Sequence, residues 1–568
     1  MYKGVNASDG IGIGVARVAV EPDLSYVPAT HQDTDEEEKA RYQAALDAFC
    51  AKTQAQADRM KVTVGEKEAG IMVGHITMAN DPFMLDEVNN RITEGKCAEQ
   101  AIDEVCDMFY AMFDASDEQL IRERCADVQD IRTGILAQLL GKELVDLSVL
   151  PKDSIVVVHD LTPSMTATID KENVAAVVTE VGGRTSHSAI ICRALEMPAV
   201  LSLENACTLI KNGDTVVVNG STGEVDVSPT QDELAEFRTL AEKAAAEKAA
   251  LEAYRGVPTK TADGIEKLLV ANIGNPDDAN VAAERDAEGV GLFRSEFLFM
   301  DAKELPSEDE QFAAYQKVAL RMKGQPVIIR TLDVGGDKEI PYLHLTQDDN
   351  PFMGYRAIRY CLANPDQYKV QIRALLRASA FGDIKIMLPL VTDIDEVRDA
   401  KALVEACKHE LDNEGVEYNK DIEVGTMMET PSASLIADIL ASECDFFSIG
   451  TNDLIGYTMC ADRGNDAVRY LYTVYQPSVL RSIKRICEEG NKAGIMVGMC
   501  GEAAADPLLI PLLISFGLGE FSVSAPSILR TRKIISQWTK AEADALAEKV
   551  LALKTKEEVR AALEAAAK

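Results

Sequence analysis

The chain has 568 residues, an apolar content of 47% and a formal net charge of −35. That length calls for roughly two to four domains, each able to bury a core. The charge excludes nucleic acid and anionic membranes as natural partners, and no apolar run approaches the roughly 18 residues a membrane span needs.

Residues 1–20 alternate apolar and polar side chains among several glycines and read as a short strand or two, with no secretory signal. From Asp33 to Leu147 the pattern turns helical. Glu36–Lys61, Pro82–Thr93, Cys97–Phe113 and Asp117–Leu140 each set apolar residues at helical spacing against a charged face. Residues 150–228 return to short β-rich runs, Ser154–Val158, Ala175–Thr179 and Thr215–Val218, with one helix expected near Ser188–Leu195. The N-terminal strand can complete that unit, which makes the helical bundle an insertion. Thr230 and Glu233 form a capping-box pair, and an Ala, Glu and Lys-rich helix is expected to follow as far as Arg255.

Beyond Thr259, strands and helices alternate. The expected strands are Leu268–Ile273, Gly289–Phe293, Val327–Thr331, Ile384–Leu388, Ile422–Met428, Phe446–Ile449, Met496–Met499 and Glu520–Val523. Eight strands in some 300 residues point to an α/β chain ending in a (β/α)8 barrel, with an open doubly wound sheet as the alternative. The division expected is an α/β domain from 1–22 and 148–229, a helical domain at 23–147, a linker helix at 230–256 and the barrel at 257–568. Twelve cysteines without a CxxC pair indicate reduced thiols and a cytoplasmic setting.

Reactive residues of a (β/α)8 barrel gather at the C-terminal ends of its strands. Here five expected strands run directly into Arg294-Ser295-Glu296, Arg330-Thr331-Leu332-Asp333, Glu429-Thr430, Thr451-Asn452-Asp453 and Cys500-Gly501-Glu502. Arginines grip phosphate and carboxylate through paired, charge-assisted hydrogen bonds. Glu429 and Asp453 can share an octahedral Mg²⁺ completed by water and substrate oxygens. Arg356, Arg463 and Lys338 can join Arg294 and Arg330 in an anion pocket. Such a local positive field would let an acidic protein hold an anionic substrate. Any one of these residues alone would more commonly be a structural ion pair; the weight lies in five strand ends agreeing.

A second motif is Gly182-Gly183-Arg184-Thr185-Ser186-His187-Ser188. Paired glycines permit a tight turn, and the hydroxyls can orient an imidazole at a helix start, where backbone N–H groups receive anions. A neutral imidazole is a competent nucleophile near neutral pH. Of six histidines, His187 alone lies in such a setting.

At these residues the sequence resembles the phosphoenolpyruvate–protein phosphotransferases, the enzyme I family of the bacterial sugar phosphotransferase system. GGRTSHSAI, GVGLFRSEFLFM, RTLDVGGDKE, NPFMGYRAIR, FFSIGTNDL and GMCGE look like that family's motifs, in its order, over essentially the whole chain. The resemblance implies that His187 is the phosphohistidine and that Arg294, Arg330 and Arg463 bind phosphoenolpyruvate with Asn452 and Asp453. It implies Mg²⁺ on Glu429 and Asp453, and Cys500 as proton donor to the enolpyruvate carbon. It further implies that the helical insertion docks HPr, a small phosphocarrier protein, and that the barrel forms a homodimer. Two other readings stay open: a phosphoenolpyruvate synthase or dikinase relative, and a barrel that senses phosphoenolpyruvate without turnover.

Overall fold

Short apolar runs, some alternating and some continuous, form the strands of two separate sheets in the computed structural model. The structure describes residues 1–568 apart from 20, 21, 29, 31–33, 64, 65, 116–123, 145, 146, 148, 149, 163, 164, 166–168, 184, 185, 196, 301, 303, 337–339, 344, 346, 347 and 466; for a few residues inside helices, His187 among them, it describes the backbone alone. Two compact units result, Met1–Lys248 and Ala249–Lys568.

In the first unit, eight strands make one mixed sheet: β1 (Tyr2–Lys3), β2 (Val5–Ser8), β3 (Ile11–Val18), β4 (Ser154–Val158), β5 (Val174–Thr179), β6 (Ala199–Leu201), β7 (Thr215–Asn219) and β8 (Glu224–Val227). Their spatial order is β1-β8-β7-β3-β4-β5-β6-β2. The runs SIVVV and VAAVVT lie at its centre because both of their faces are covered. Val156, Val158 and Val177 pack into one core, whereas Ile155, Val157 and Val178 pack into another.

Between β3 and its parallel neighbour β4 the chain leaves the sheet and builds helices. These are α1 (Asp35–Thr63), α2 (Glu66–Ala79), α3 (Pro82–Thr93), α4 (Ala98–Asp114) and α5 (Cys125–Leu139). They share a core that includes Tyr42, Leu46, Val88, Ile102, Val105, Ile131 and Ile135. Helix α2 carries no sequence expectation. Its two glycines and β-branched residues lower local helix propensity, and burial of Ala69, Met72 and His75 stabilises it instead. The expected segment Asp117–Leu140 is described only as Cys125–Leu139, since 116–123 lie outside the described residues.

A short helix α6 (His187–Ala194) follows β5, and a long helix α7 (Gln231–Leu251) leads away from the sheet. The α7 start has the expected reciprocal cap: the Glu233 carboxylate accepts from Thr230 N at 2.8 Å, and Glu233 N donates to Thr230 Oγ1 at 3.3 Å.

The second unit is a closed parallel barrel of β9 (Leu268–Ile273), β10 (Val290–Arg294), β11 (Val327–Arg330), β12 (Ile384–Leu388), β13 (Val424–Met428), β14 (Phe446–Ile449), β15 (Met496–Met499) and β16 (Glu520–Val523). Strand β16 closes on β9 through Glu520 opposite Leu268. Leu292, Ile328, Met387, Met427, Phe446 and Cys500 form an apolar cluster of their own, separate from the larger core that contains Leu269, Ile329, Ile386 and Phe521 from the other faces of the strands. Arg294 and Arg330 are the last residues of β10 and β11, so each is delivered directly to the barrel's C-terminal mouth. Among the described residues no helix is long and apolar enough to cross a membrane.

Candidate active site

Two arginines dominate the barrel mouth, and both are buried. Arg330 donates through Nη2 to Glu296, and the same nitrogen lies 3.2 Å from Asp333 Oδ2. Arg356 Nη2 lies 2.9 Å from Asp333 Oδ1 and 3.2 Å from Asp453 Oδ2. Asp333 thus bridges the two guanidinium groups. Burial opposes each positive charge, but the carboxylates outweigh it: Glu296 and Asp333 for Arg330, Asp333 and Asp453 for Arg356. Each arginine keeps a buried Nε–H with no hydrogen-bond partner, a donor left over for an anion.

Asp453 lies in the first turn of α8 (Thr451–Met459), where the helix dipole favours a carboxylate. Glu429 follows β13, is 2% exposed, and accepts from Leu390 N at 2.7 Å. That N–H is aimed by a left-handed backbone at Leu390, with φ of 54°, an uncommon state for a leucine that costs on the order of 1 kcal/mol. Burial pushes the Glu429 carboxyl well above the ordinary range, and Asp453 and Asp333 push it the same way. A cation between Glu429 and Asp453 would reverse that repulsion. Among the described residues no group of three or more His, Cys, Asp or Glu side chains forms a closed cage. A two-carboxylate set that leaves positions to water and substrate oxygens is what Mg²⁺ accepts, so the residues fit that ion.

Cys500 follows β15 and is 3% exposed. Its N donates to Ile449 O at 3.1 Å. Burial pushes its thiol up to about 11, against the opposing pull of the Ser448 hydroxyl, Arg330 and Arg294. Arg294 therefore shares the mouth with Arg330 and Cys500. Arg463 is exposed in the turn after α8 and acts electrostatically on Tyr472, whose hydroxyl donates to Asn452 O at 2.9 Å. Arg330, Arg356, Glu429, Asp453 and Cys500 thus converge. Arg463 and Asn452 are linked to them through Tyr472, and Lys338 lies outside the described residues.

The local positive field expected from the arginines is offset. Glu296, Asp333, Glu429 and Asp453 stand among them, so the mouth is a mixed-charge lattice. Sequence reasoning gave no role to Glu296, Asp333, Tyr457 or Gln371. The first two had a signal, each being a carboxylate two or three residues beyond an arginine. Tyr457 accepts from Arg356 Nη1 at 3.3 Å, and Gln371 joins Ser295 to the Leu332 backbone. Those contacts are tertiary and have no local pattern.

In the other unit, Ser186 caps α6, its Oγ accepting from Ala189 N at 3.3 Å. His187 is the first helical residue, and Ser188 is tied by its Oγ to Leu161 O at 3.1 Å. Gly182 has φ of +108° and Ser202 Oγ donates to its carbonyl at 2.7 Å, which fixes the entry to the turn. The helix start thus presents backbone N–H groups beside His187.

Three family models match the chain: the N-terminal domain of PEP-utilising enzymes over residues 3–124, their mobile domain over 150–223 and their PEP-binding domain over 248–540. The chain is 45% identical to a phosphoenolpyruvate-protein phosphotransferase of Staphylococcus carnosus, covering 98% of this chain and 97% of that one. It is equally 45% identical to a protein of the same name from Enterococcus faecalis, covering 99% of both. A solution structure of an Enzyme I protein is 34% identical over 43% of this chain and 99% of that one, with a TM-score of 0.40.

Proposed function

The chain belongs to the phosphoenolpyruvate-protein phosphotransferase family, and on that premise we propose that it transfers the phosphoryl group of phosphoenolpyruvate first to His187 and then to HPr. The observation that supports this reading best is the convergence of two buried arginines, two carboxylates and a thiol at one mouth of the barrel. Each has a separate task on this substrate. Arg294, Arg330, Arg356 and Arg463 hold its phosphate and carboxylate, with Asn452 and Lys338 as further contacts. Mg²⁺ held by Glu429 and Asp453 would offset charge on the phosphoryl oxygens.

A ring nitrogen of His187 attacks phosphorus, the bond from phosphorus to the bridging oxygen breaks, and enolpyruvate leaves as its enolate. The N–H groups at the start of α6 are available to the phosphoryl oxygens once they reside on His187. Cys500 donates its proton to the methylene carbon, and pyruvate results. Donor and acceptor residues belong to different compact units, so the reading requires His187 to be carried to the barrel mouth. Helix α7, which joins the units in sequence, is the proposed pivot.

The helical group between β3 and β4 is the proposed HPr dock, with Glu66, Glu68 and Asp81 as acidic contacts for a basic partner. Asp81 caps α3, accepting from Phe83 N at 2.9 Å, and of Glu66 and Glu68 the structure describes the backbone alone. The reading also includes a homodimer through the barrel and a cytoplasmic setting.

The test is exposure of the protein to labelled phosphoenolpyruvate and Mg²⁺, followed by mass spectrometry to locate the phosphoryl group. Label is expected on His187 and absent from His187→Ala; acid-labile label retained on that variant would overturn the assignment. Transfer to HPr on its addition separates a catalyst from a sensor, and dependence on ATP would favour the synthase or dikinase reading.

A further inference from the structure

Ser448 belongs to β14 and is fully buried inside the barrel. Its neighbours on β15 are fixed by register: Ser448 stands opposite Gly498, and Ile449 opposite Met499. The next step of that ladder is Cys500, whose backbone N and Sγ both point to Ile449 O, at 3.1 and 3.8 Å. The sulfur is therefore held at the end of β14, beside the serine. The Ser448 hydroxyl makes no well-formed hydrogen bond in the structure, and its influence falls on the Cys500 sulfur. A buried hydroxyl without a partner is costly, on the order of 1–3 kcal/mol, and calls for an explanation.

We propose that Ser448 is a positioning residue whose hydroxyl donates a hydrogen bond to the Cys500 sulfur when that sulfur becomes a thiolate. The inference rests on the reading of Cys500 as the proton donor to enolpyruvate. In that step the S–H bond breaks and a C–H bond forms at the methylene carbon. The enolate electrons form the C–H bond and the carbonyl, and the S–H electron pair stays on sulfur. A negative charge thus appears in a buried site at the moment of proton transfer, and the hydroxyl that idles beside the neutral thiol acquires an acceptor. A proton from solvent then restores the thiol.

The neighbouring groups agree with this division of labour. The charged groups facing Cys500 are Arg330 from β11, Arg294 from β10 and Glu429 beyond β13; among all influences that favour its thiolate, the Ser448 hydroxyl is the largest. Asn272 of β9 holds the residue in a different way, donating to the Cys500 carbonyl at 3.1 Å. The backbone is held from one side, and the sulfur is served from the other.

The test compares Ser448→Thr with Ser448→Val in the full-length protein, because the two side chains share a shape and differ in the hydroxyl. Two quantities are read: the pH midpoint of iodoacetamide alkylation of Cys500, followed by peptide mass spectrometry, and single-turnover pyruvate release with Mg²⁺ across phosphoenolpyruvate concentrations. Valine is expected to raise the alkylation midpoint by about one pH unit and slow release about tenfold, with half-saturation changed less than about twofold. Threonine is expected to stay within about twofold of the parent in both. Identical behaviour of the two variants overturns the proposal; Ser448→Ala supplies the same comparison should the larger pair disturb the barrel. Cys500→Ala tells the two failures apart. Parental release in Cys500→Ala refutes the proton-donor reading, whereas an impaired Cys500→Ala beside an unimpaired Ser448→Val refutes the role of Ser448 alone.

Discussion

A methyl group at position 335 would stand 2.6 Å from Arg356 Cβ, on a backbone with φ of +97° that an L side chain rarely adopts. Gly335 is what lets the loop after β11 close over the arginine. Gly335→Ala is expected to cost about 1–2 kcal/mol of stability and to displace Arg356. The half-saturating phosphoenolpyruvate concentration should rise by roughly tenfold, a loss comparable to one charge-assisted hydrogen bond. Unfolding midpoints and substrate titration check both halves, and unchanged substrate affinity would count against Arg356 as a ligand.

Glu520 is a second case in which one side chain decides a measurable property. It opens β16, is 3% exposed, and its Oε1 has no partner. Burial pushes its carboxyl up to about 7 from a reference of 4.5, with Lys385 opposing. A raised carboxyl means that the folded protein retains a proton the unfolded chain has lost. Stability therefore falls as pH rises from about 4.5 to about 7, and is flat above. Glu520→Gln removes that dependence. Its gain over the parent should grow across this window to at most on the order of 3 kcal/mol, read from urea midpoints at pH 5 and pH 8. A gain that does not vary with pH would refute the account. Neither Gly335 nor Glu520 announces itself in the sequence. The first glycine of GGDK looks like any turn residue, and a glutamate at a strand start looks like a solvated one; only the packing shows what surrounds them.

The elements were far more legible. Barrel strands are short apolar runs bounded by turn residues, and their spacing by helices leaves few topologies open. Five of the eight, Leu268–Ile273, Ile384–Leu388, Phe446–Ile449, Met496–Met499 and Glu520–Val523, run between the residues expected of them. Shifts occur where pairing overrides composition: Ile422 and Glu423 read as strand, but β13 begins at Val424. Helix α2 escaped because its helicity derives from packing and not from propensity.

The segment after α7 shows how one side chain can fasten an element. Arg532 is buried and donates to Thr259 Oγ1 at 3.0 Å, to Tyr254 O at 2.9 Å and to Asp286 O at 2.8 Å. It also pairs with Asp286 and Glu288. Arg532→Ala strands these acceptors together and is expected to cost about 3–5 kcal/mol. Faster hydrogen exchange from Tyr254 to Lys260, with the sheet of the first unit unaffected, would show that the loss is confined to this anchor.

For the whole molecule, the existence of two compact units with separate cores predicts two unfolding transitions. The donor-site residues all lie in the second unit, so Mg²⁺ with a non-reacting phosphoenolpyruvate analogue should raise that transition alone. Saturation at about 100 times the dissociation constant corresponds to about 2.7 kcal/mol. Calorimetry with and without the analogue distinguishes this from a uniform shift, which would place ligand contacts on both units.

The sequence by itself determined the order of the barrel strands, a (β/α)8 barrel with an open sheet as the alternative, helices between β3 and β4 and the family resemblance, because periodicity, turn residues and strand-end motifs are local properties that survive without coordinates. It also picked out Arg330, Arg356, Glu429, Asp453 and Cys500, which meet at the barrel mouth, though not Glu296 or Asp333. What only the tertiary structure decided is how those residues neutralise one another. Asp333 bridging two arginines, carboxylates crowding Glu429 and a serine hydroxyl waiting beside Cys500 are contacts between strands distant in the chain. The physical reason is that the cost of a buried charge is set by what lies within a few ångströms of it, and closure of the barrel alone brings those groups that near.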